Sequence, residues 1–461
     1  MTWNLSRPKK PALPNSYFWT WDHSTNWMLD DPGTLNWGCC NKYLKRPETF
    51  LEDYRRLTDF AASLGVKGIL IWGFIRDSHG GIDYSKRVAD YAASKGIAIM
   101  PGIGTTWYGG MYYEGNHPYN IETFVKNHPD ARMIGNRGWE SGRGACPTNP
   151  AFLDWLQEGI RWLFREFAIG GANLENGDFL VCQDPGCTAH KETWPKDDPD
   201  FFRLQALSYE PALRAIEDQL RDKIVTWATY TGFVPGKDPE GKSHRFMDCE
   251  KPAMIDRLPP EGIGQWTITE MVHFDPLPLT TFLDDGAPET VFDNPRWPNG
   301  LRPPSPRSVG FLHQASQWNW IPRYEQAVSS IKEACLRAYR SGLEGVSIHG
   351  EVSSRHIPWA LNYLAFSHFI HWPEDSLRDF GRKTLGQVLG SEEEGEVFVE
   401  LFANWDAGAL TDSQKQGLGE RRESVAGKIA GEGTDIERWR FWDWLFHMAN
   451  GKIERHTASF L

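Results

Sequence analysis

Gly68-Ile69-Leu70-Ile71-Trp72-Gly73 carries no polar side chain on either face. A strand with one face in water alternates apolar and polar residues. A short run that is apolar throughout fits a parallel sheet, buried on both sides and wrapped by helices. Just before it, Leu51, Tyr54, Leu57, Ala61 and Leu64 recur at helical spacing within Pro47 to Leu64, and Gly65 ends the pattern. Just after it, a second helix is predicted from about Asp83 to Lys95, and Ile97-Ala98-Ile99-Met100-Pro101-Gly102 repeats the strand signature. The local unit is therefore strand, helix, strand.

The same rhythm extends outward in both directions. Tyr17 to Trp21 reads as a first strand, Ala172 to Glu175 as a fourth and Lys223 to Thr229 as a fifth. Gly264 to Glu270, Val309 to Leu312 and Gly345 to Glu351 supply the sixth, seventh and eighth. Helices are predicted to start at Asn149-Pro150, with Asn as the cap and Pro at the first helical position. Further helices are predicted at Phe202 to Leu220 and Tyr324 to Arg340, while Ile103 to Pro147 reads as one long loop. Eight strands separated mostly by helices predict an α/β fold, a (β/α)8 TIM barrel over residues 17–372. The competing doubly wound sheet loses ground because no Gly-rich phosphate turn follows the first strand. Residues 1–16 read as an N-terminal extension. From Pro373 no strand-like run appears, so residues 373–461 read as a helical C-terminal region.

Composition narrows the chemistry. A net charge of −12 leaves no basic stripe for phosphate neutralisation, so nucleic acid is not expected as a partner. The N-terminus has no apolar signal-like stretch and no later segment reads as a membrane span. The chain is expected to be cytoplasmic, or exported where a leader has been removed. Twenty-two Trp in 461 residues exceed what core packing usually asks for. Indole faces pack on sugar C–H groups while their N–H groups reach polar atoms. Trp72, Trp107, Trp227, Trp266 and Trp318, in or just beyond strand ends, are candidate walls of a carbohydrate cleft.

In a barrel the carboxyl ends of the strands share one mouth. Acids near those ends are Asp22, Asp77, Glu175, Asp178, Glu270 and Glu351. Glycoside cleavage needs two carboxyl groups in unlike environments, one protonated to release the leaving oxygen and one ionised. Strand alternation turns Asn173 and Glu175 inward and Leu174 outward, which makes Glu175 the candidate general acid. Glu270 is the candidate partner from another strand, Glu351 competes with it, and Asp178 is a candidate for tuning Glu175. Asp22, His23, Asn173, Asn176, His273, His313 and His349 are candidate substrate contacts. No metal or cofactor is expected in the chemistry. Cys182 and Cys187, in the stretch CQDPGC, read as free thiols, with half a metal site as the alternative; His190 lies close by in sequence. Nucleophile-elbow, Walker and H-E-x-x-H motifs are all missing.

The acidic segment Leu174 to Phe179, the acidic sixth-strand end at Glu270 and the helical region after the eighth strand resemble the glycoside hydrolase barrels of the α-glucuronidase and β-hexosaminidase type. The stretch from His349-Gly350-Glu351 through Asn362 to Phe366 and on to His371-Trp372-Pro373 is similar to uncharacterised bacterial proteins of that neighbourhood. The resemblance implies a glycosidase with Glu175 as acid and Glu270 or another strand-end carboxylate as base. Hexosaminidases of that type carry adjacent Asp-Glu on the fourth strand, whereas here Glu precedes Asp and two residues intervene. The expectation is a glycosidase acting on terminal sugars or short oligosaccharides. Alternatives are a non-catalytic carbohydrate-binding barrel, or a uronic-acid lyase or isomerase with a His base, with or without a metal.

Overall fold

The computed structural model describes residues 3–27, 45–134, 143–175, 182–192, 200–229, 233–237, 243–247, 256–267, 305–312, 326–351, 353–406, 408–429 and 435–451. Eight parallel strands close into a barrel: β1 (Tyr17–Trp21), β2 (Gly68–Trp72), β3 (Ala98–Gly104), β4 (Gly171–Glu175), β5 (Ile224–Thr229), β8 (Ile263–Thr267), β9 (Ser308–Phe311) and β10 (Gly345–His349). They follow one another in chain order around the ring, and β10 pairs with β1 to close it, Tyr17 opposite Ser347 and Trp19 opposite His349. The fold is a (β/α)8 barrel with a helical C-terminal region.

Strand alternation separates two apolar layers. Tyr17, Trp19, Trp21, Leu70, Trp72, Met100, Ile224, Ile263, Val309 and Phe311 fill the barrel. Ile69, Ile71, Ile99, Leu174, Val225 and Ile348 point the other way, against the surrounding helices. Those helices include α1 (Pro47–Leu64), α2 (Gly81–Ser94), α4 (Pro150–Glu166), α5 (Pro185–Glu192) and α6 (Asp200–Arg214), and later Val328–Arg340. Asn149 caps α4 as its sequence predicts, accepting from Phe152 N at 3.1 Å.

Two elements depart from the expected rhythm. The long loop after β3 contains a short helix, α3 (Ile121–Asn127), whose first turn is held by Asn120 accepting from Thr123 N at 3.0 Å. Between β5 and β8 lies an antiparallel hairpin, β6 (Phe233–Lys237) and β7 (Ser243–Met247), outside the barrel. Pro235 and Gly236 interrupt its first strand, so the pattern is too short and broken to read as a strand in sequence.

Helix Ile357–His371 is buried along its whole length. A helix apolar on every side needs cover on every side. The barrel and its helices supply one part, and the C-terminal helices supply the rest, including Leu377–Phe380, Gly381–Leu385 and Asp435–Ala449. Within that cover Phe441, Trp442 and Trp444 are buried; Trp442 meets Phe398 edge-on at 5.2 Å and Trp444 meets Phe402 at 5.6 Å. At the opposite end of the chain, Arg7 donates to the carbonyls of Ala62 and Ser63 at 3.0 and 2.5 Å, satisfying the last turn of α1. Among the described residues no helix is long and apolar enough to cross a membrane.

Candidate active site at the barrel mouth

Glu175 is the last residue of β4 and is 4% exposed. Its neighbour Leu174 packs in the outer layer, and Asn173 turns into the barrel. The Asn173 side-chain amide donates to Thr226 Oγ1 at 2.8 Å and to Gln265 Oε1 at 3.1 Å. The Tyr17 hydroxyl donates to the same Gln265 oxygen at 2.5 Å. These four side chains, from β1, β4, β5 and β8, form a polar layer across an otherwise apolar barrel. Burial pushes the Tyr17 phenol well above its ordinary range, and the Glu175 charge adds to the effect. Tyr17 therefore stays a neutral donor close to that carboxyl group.

A second polar cluster follows β1 and β2. Asp22, 2% exposed, meets Arg76 Nε at 2.6 Å through Oδ2, His79 Nε2 at 3.3 Å through Oδ2 and His23 Nδ1 at 3.0 Å through Oδ1. Burial by itself raises the Asp22 pKa. Arg76 and the His23 and His79 hydrogen bonds outweigh it, so the carboxyl is held well below the usual range and stays ionised. Arg76 also pairs with Glu114 and lies 4.3 Å over the Tyr113 ring. His79 stacks on Phe50 with ring centroids 3.8 Å apart, and its Nε2 lies 2.9 Å from the Gly73 carbonyl oxygen. Gly73 is required here: its φ is +81°, and a Cβ would lie 2.2 Å from Asp22 Oδ1.

Aromatic rings line the space between. Trp21 stacks on Trp72 at 5.4 Å, Tyr108 and Tyr113 meet Trp72 edge-on at 5.8 and 6.4 Å, and Trp19 stacks on His349 at 5.2 Å. Tyr108 is the one non-glycine residue with positive φ among those described, at 54°. Gly104 lets the loop turn back so closely, since a Cβ there would lie 1.6 Å from the Trp107 carbonyl oxygen. Beside these rings a cavity of about 700 Å³ opens in the loop after β3, lined by Trp107, Tyr108, Tyr113, Glu114, Asn120 and Arg143 among others.

The structure brings Asp22, His23, Trp72, Asn173, Glu175 and His349 to the interior or the mouth, and Trp107 to the cavity beside it. Glu351 is also there, 1% exposed, but its Oε1 accepts from Trp21 N at 3.1 Å and Ser24 Oγ at 2.5 Å. That carboxylate holds the turn after β1. Asp77 likewise braces the loop after β3, accepting from the Tyr112 hydroxyl and from Asn116 N. Trp227 differs from its expected place. It packs in the outer layer between β5 and the helices, because Ile224 and Thr226 take the inward positions of that strand. Asn176, Asp178, Glu270, His273, His313 and Trp318 lie outside the described residues, as does the side chain of Trp266. Arg76 and His79 were not singled out from the sequence; both follow the second strand at its mouth end, a position that could have flagged them.

No family description and no curated protein matches the chain in sequence. Among solved structures, the α-amylase from Geobacillus thermoleovorans complexed with acarbose aligns over 78% of this chain and 78% of its own, at 10% identity and TM-score 0.46. The β-N-acetylhexosaminidase from Bacteroides fragilis covers 77% of this chain and 66% of its own, at 12% identity and TM-score 0.42. A GH138 enzyme targeting pectin rhamnogalacturonan II covers 88% of this chain, at 11% identity and TM-score 0.47, and this chain spans only 45% of it. At such identities the likeness concerns the barrel alone.

Proposed function

We propose that this protein is a glycoside hydrolase that releases a terminal sugar or cleaves short oligosaccharides, with Glu175 as its general acid. The observation that carries the reading is the place of Glu175: an inward-facing, nearly buried carboxyl group at the carboxyl end of a barrel strand. Beneath it lies a neutral hydrogen-bonded layer, and around the mouth stand stacked indoles. A general acid acts in its protonated form, giving a proton to the leaving oxygen. His23 and His349 supply hydrogen-bonding groups, and Trp107 supplies a face for sugar C–H groups.

The second carboxylate is assigned to Glu270. It follows β8 in the sequence, and β8 stands two positions from β4 around the ring. Asp22 and Glu351 are the less suitable partners. Arg76 and two imidazoles surround the first, and the β1 turn engages the second. Asp178 is assigned a tuning role on Glu175.

A panel of aryl-glycosides assayed with wild type, Glu175→Gln and Glu270→Gln tests this. Removing a general acid or base lowers the rate about 10²–10⁴-fold. Full activity of both variants on the best substrate would sink the assignment. The engagement of Asp22 and Glu351 favours one second reading, a sugar-binding barrel without catalysis. Oligosaccharide binding by calorimetry with no turnover of any glycoside in the panel would select it.

A further inference from the structure

Cys146 meets Cys182 and Cys187, a close pair some way further along the chain, beside the mouth. Cys146 lies just ahead of α4, Cys182 follows the β4 segment, and Cys187 sits in the first turn of α5. Their sulfur atoms all lie within 4.8 Å of one another, with Cys146 Sγ and Cys187 Sγ 3.5 Å apart. A disulfide bond is about 2.05 Å long and joins only two sulfurs. Three thiolates around a tetrahedral zinc ion, each about 2.3 Å from it, stand roughly 3.8 Å from one another. The observed cluster fits the second arrangement and not the first.

The surroundings suit a closed structural site. The three residues are 3%, 1% and 0% exposed, and Met133, Trp107 and Leu207 pack about them. Thr148 Oγ1 lies 3.1 Å from Cys146 Sγ and 3.3 Å from Cys187 Sγ, where its single hydroxyl proton can be given to one thiolate or the other. The backbone fixes each contributor: Cys146 N donates to Ala131 O at 2.9 Å, Gln183 N to Ile134 O at 2.7 Å, and Thr188 N to Asp184 O at 2.8 Å. Isolated buried cysteines behave as small apolar residues and need no partner. Convergence of three sulfurs from two separate segments is not explained that way, because apolar packing favours no sulfur–sulfur contact over any other.

We propose that Cys146, Cys182 and Cys187 bind one zinc ion as thiolates and so tie the loop after β3 to the segment after β4. The thiols lose their protons on binding, so occupancy falls as pH falls. The fourth position of the tetrahedron belongs to solvent or to a further donor. An all-sulfur set of three selects a soft or borderline ion over magnesium or calcium. The consequence reaches the mouth, since Trp107 packs on the cluster and Cys182 lies on the chain leaving Glu175. The inference stands independently of the reaction catalysed.

Elemental analysis of the full-length protein, purified under reducing conditions without chelator, tests it. About one zinc per chain is expected, released as a mercurial reagent titrates three thiols. Cys146→Ser, Cys182→Ser and Cys187→Ser should each lower zinc content at least tenfold, and Cys335→Ala, at a buried cysteine outside the cluster, should keep it. Should the serine variants fail to fold, Cys182→His restores a zinc donor and is expected to retain the ion. Cobalt-loaded wild type should show thiolate-to-cobalt charge-transfer absorption. The proposal is overturned if reduced wild type takes up neither zinc nor cobalt. It is equally overturned if a Cys182→Ser/Cys187→Ser double variant keeps full zinc, or if intact mass shows a Cys146–Cys187 disulfide.

Discussion

Asp22 and Arg76 form an ion pair 2.6 Å apart in which the side chains are only 2% and 10% exposed, and it joins the end of β1 to the loop after β2. Neither charge has bulk water to fall back on. Arg76 is held protonated despite burial, with Asp22 as the main opposing influence, and Glu114 and the Tyr113 ring cover its other side. The pair forms a charged shoulder of the mouth beside the stacked Trp21 and Trp72.

Removing the Asp22 charge leaves the buried Arg76 cation with only the half-exposed Glu114 as a counter-charge. Asp22→Asn is expected to destabilise the protein by about 3–5 kcal/mol, the usual effect of breaking one side of a buried pair. The folded-state pKa of Asp22 lies below its unfolded value of about 3.9. Its contribution is therefore complete above that pH and is lost as pH falls further towards the folded pKa. Urea midpoints measured between pH 3 and pH 7 should fall in wild type below about pH 4, and this part of the fall should vanish in Asp22→Asn. An unchanged acid limb in the variant would count against the pair.

Gly73→Ala is expected to destabilise through two effects. Alanine at φ +81° is strained by about 1–3 kcal/mol, and its Cβ displaces Asp22 Oδ1 from 2.2 Å. The second effect depends on the Asp22 side chain. In an Asp22→Ala background the substitution should therefore lose less stability than in wild type. Strict additivity in thermal or urea unfolding would show that the glycine is needed for backbone conformation alone.

Glu175 and Glu351 are both buried at strand ends yet should respond differently to the same change. Glu175→Gln is expected to lower kcat about 10²–10⁴-fold with little change in melting temperature. Glu351→Gln weakens the hydrogen bonds from Trp21 N and Ser24 Oγ. A loss of about 1–3 kcal/mol in stability with a less than tenfold loss in kcat is expected. The reverse pattern, on the best aryl-glycoside, would exchange their roles.

His371 should make stability depend on mildly acidic pH. Burial lowers its pKa to about 4 against the ordinary 6.5, and its ring lies 2.7 Å from the Ser367 carbonyl oxygen through Nδ1. Between those two values the unfolded chain binds more protons than the folded one, so stability falls as pH drops from about 6.5 to about 4. His371→Gln should flatten that slope in chemical denaturation at pH 5 and pH 7. Some slope should persist, because burial also lowers the pKa of His368.

Much of the barrel is legible in the chain before any coordinates. Strands such as Gly68 to Trp72 are apolar on both faces and bounded by helical patterns, and a closed parallel sheet satisfies that combination. The inward turn of Asn173 and Glu175 is also legible, since alternation on a short strand leaves one choice once Leu174 faces the helices. The same rule was not enough for Trp227. On β5 both faces accept large apolar groups, and only the Asn173–Thr226 hydrogen bond reveals which face is inside. The helix α3 was within reach through its cap, Asn120, but a strand–helix rhythm does not call for a helix inside a loop.

The sequence by itself determined the barrel, the helical region beyond it and the strand-end position of Glu175, because periodicity and strand alternation are local properties. Tertiary structure alone decided that Asp22 is matched by Arg76 and His79, that Glu351 holds the β1 turn, and that Cys146 joins Cys182 and Cys187. These relationships arise where loops from separate strands converge on one mouth. Distance along the chain carries no record of that convergence, which is set by barrel closure and by the packing that follows it.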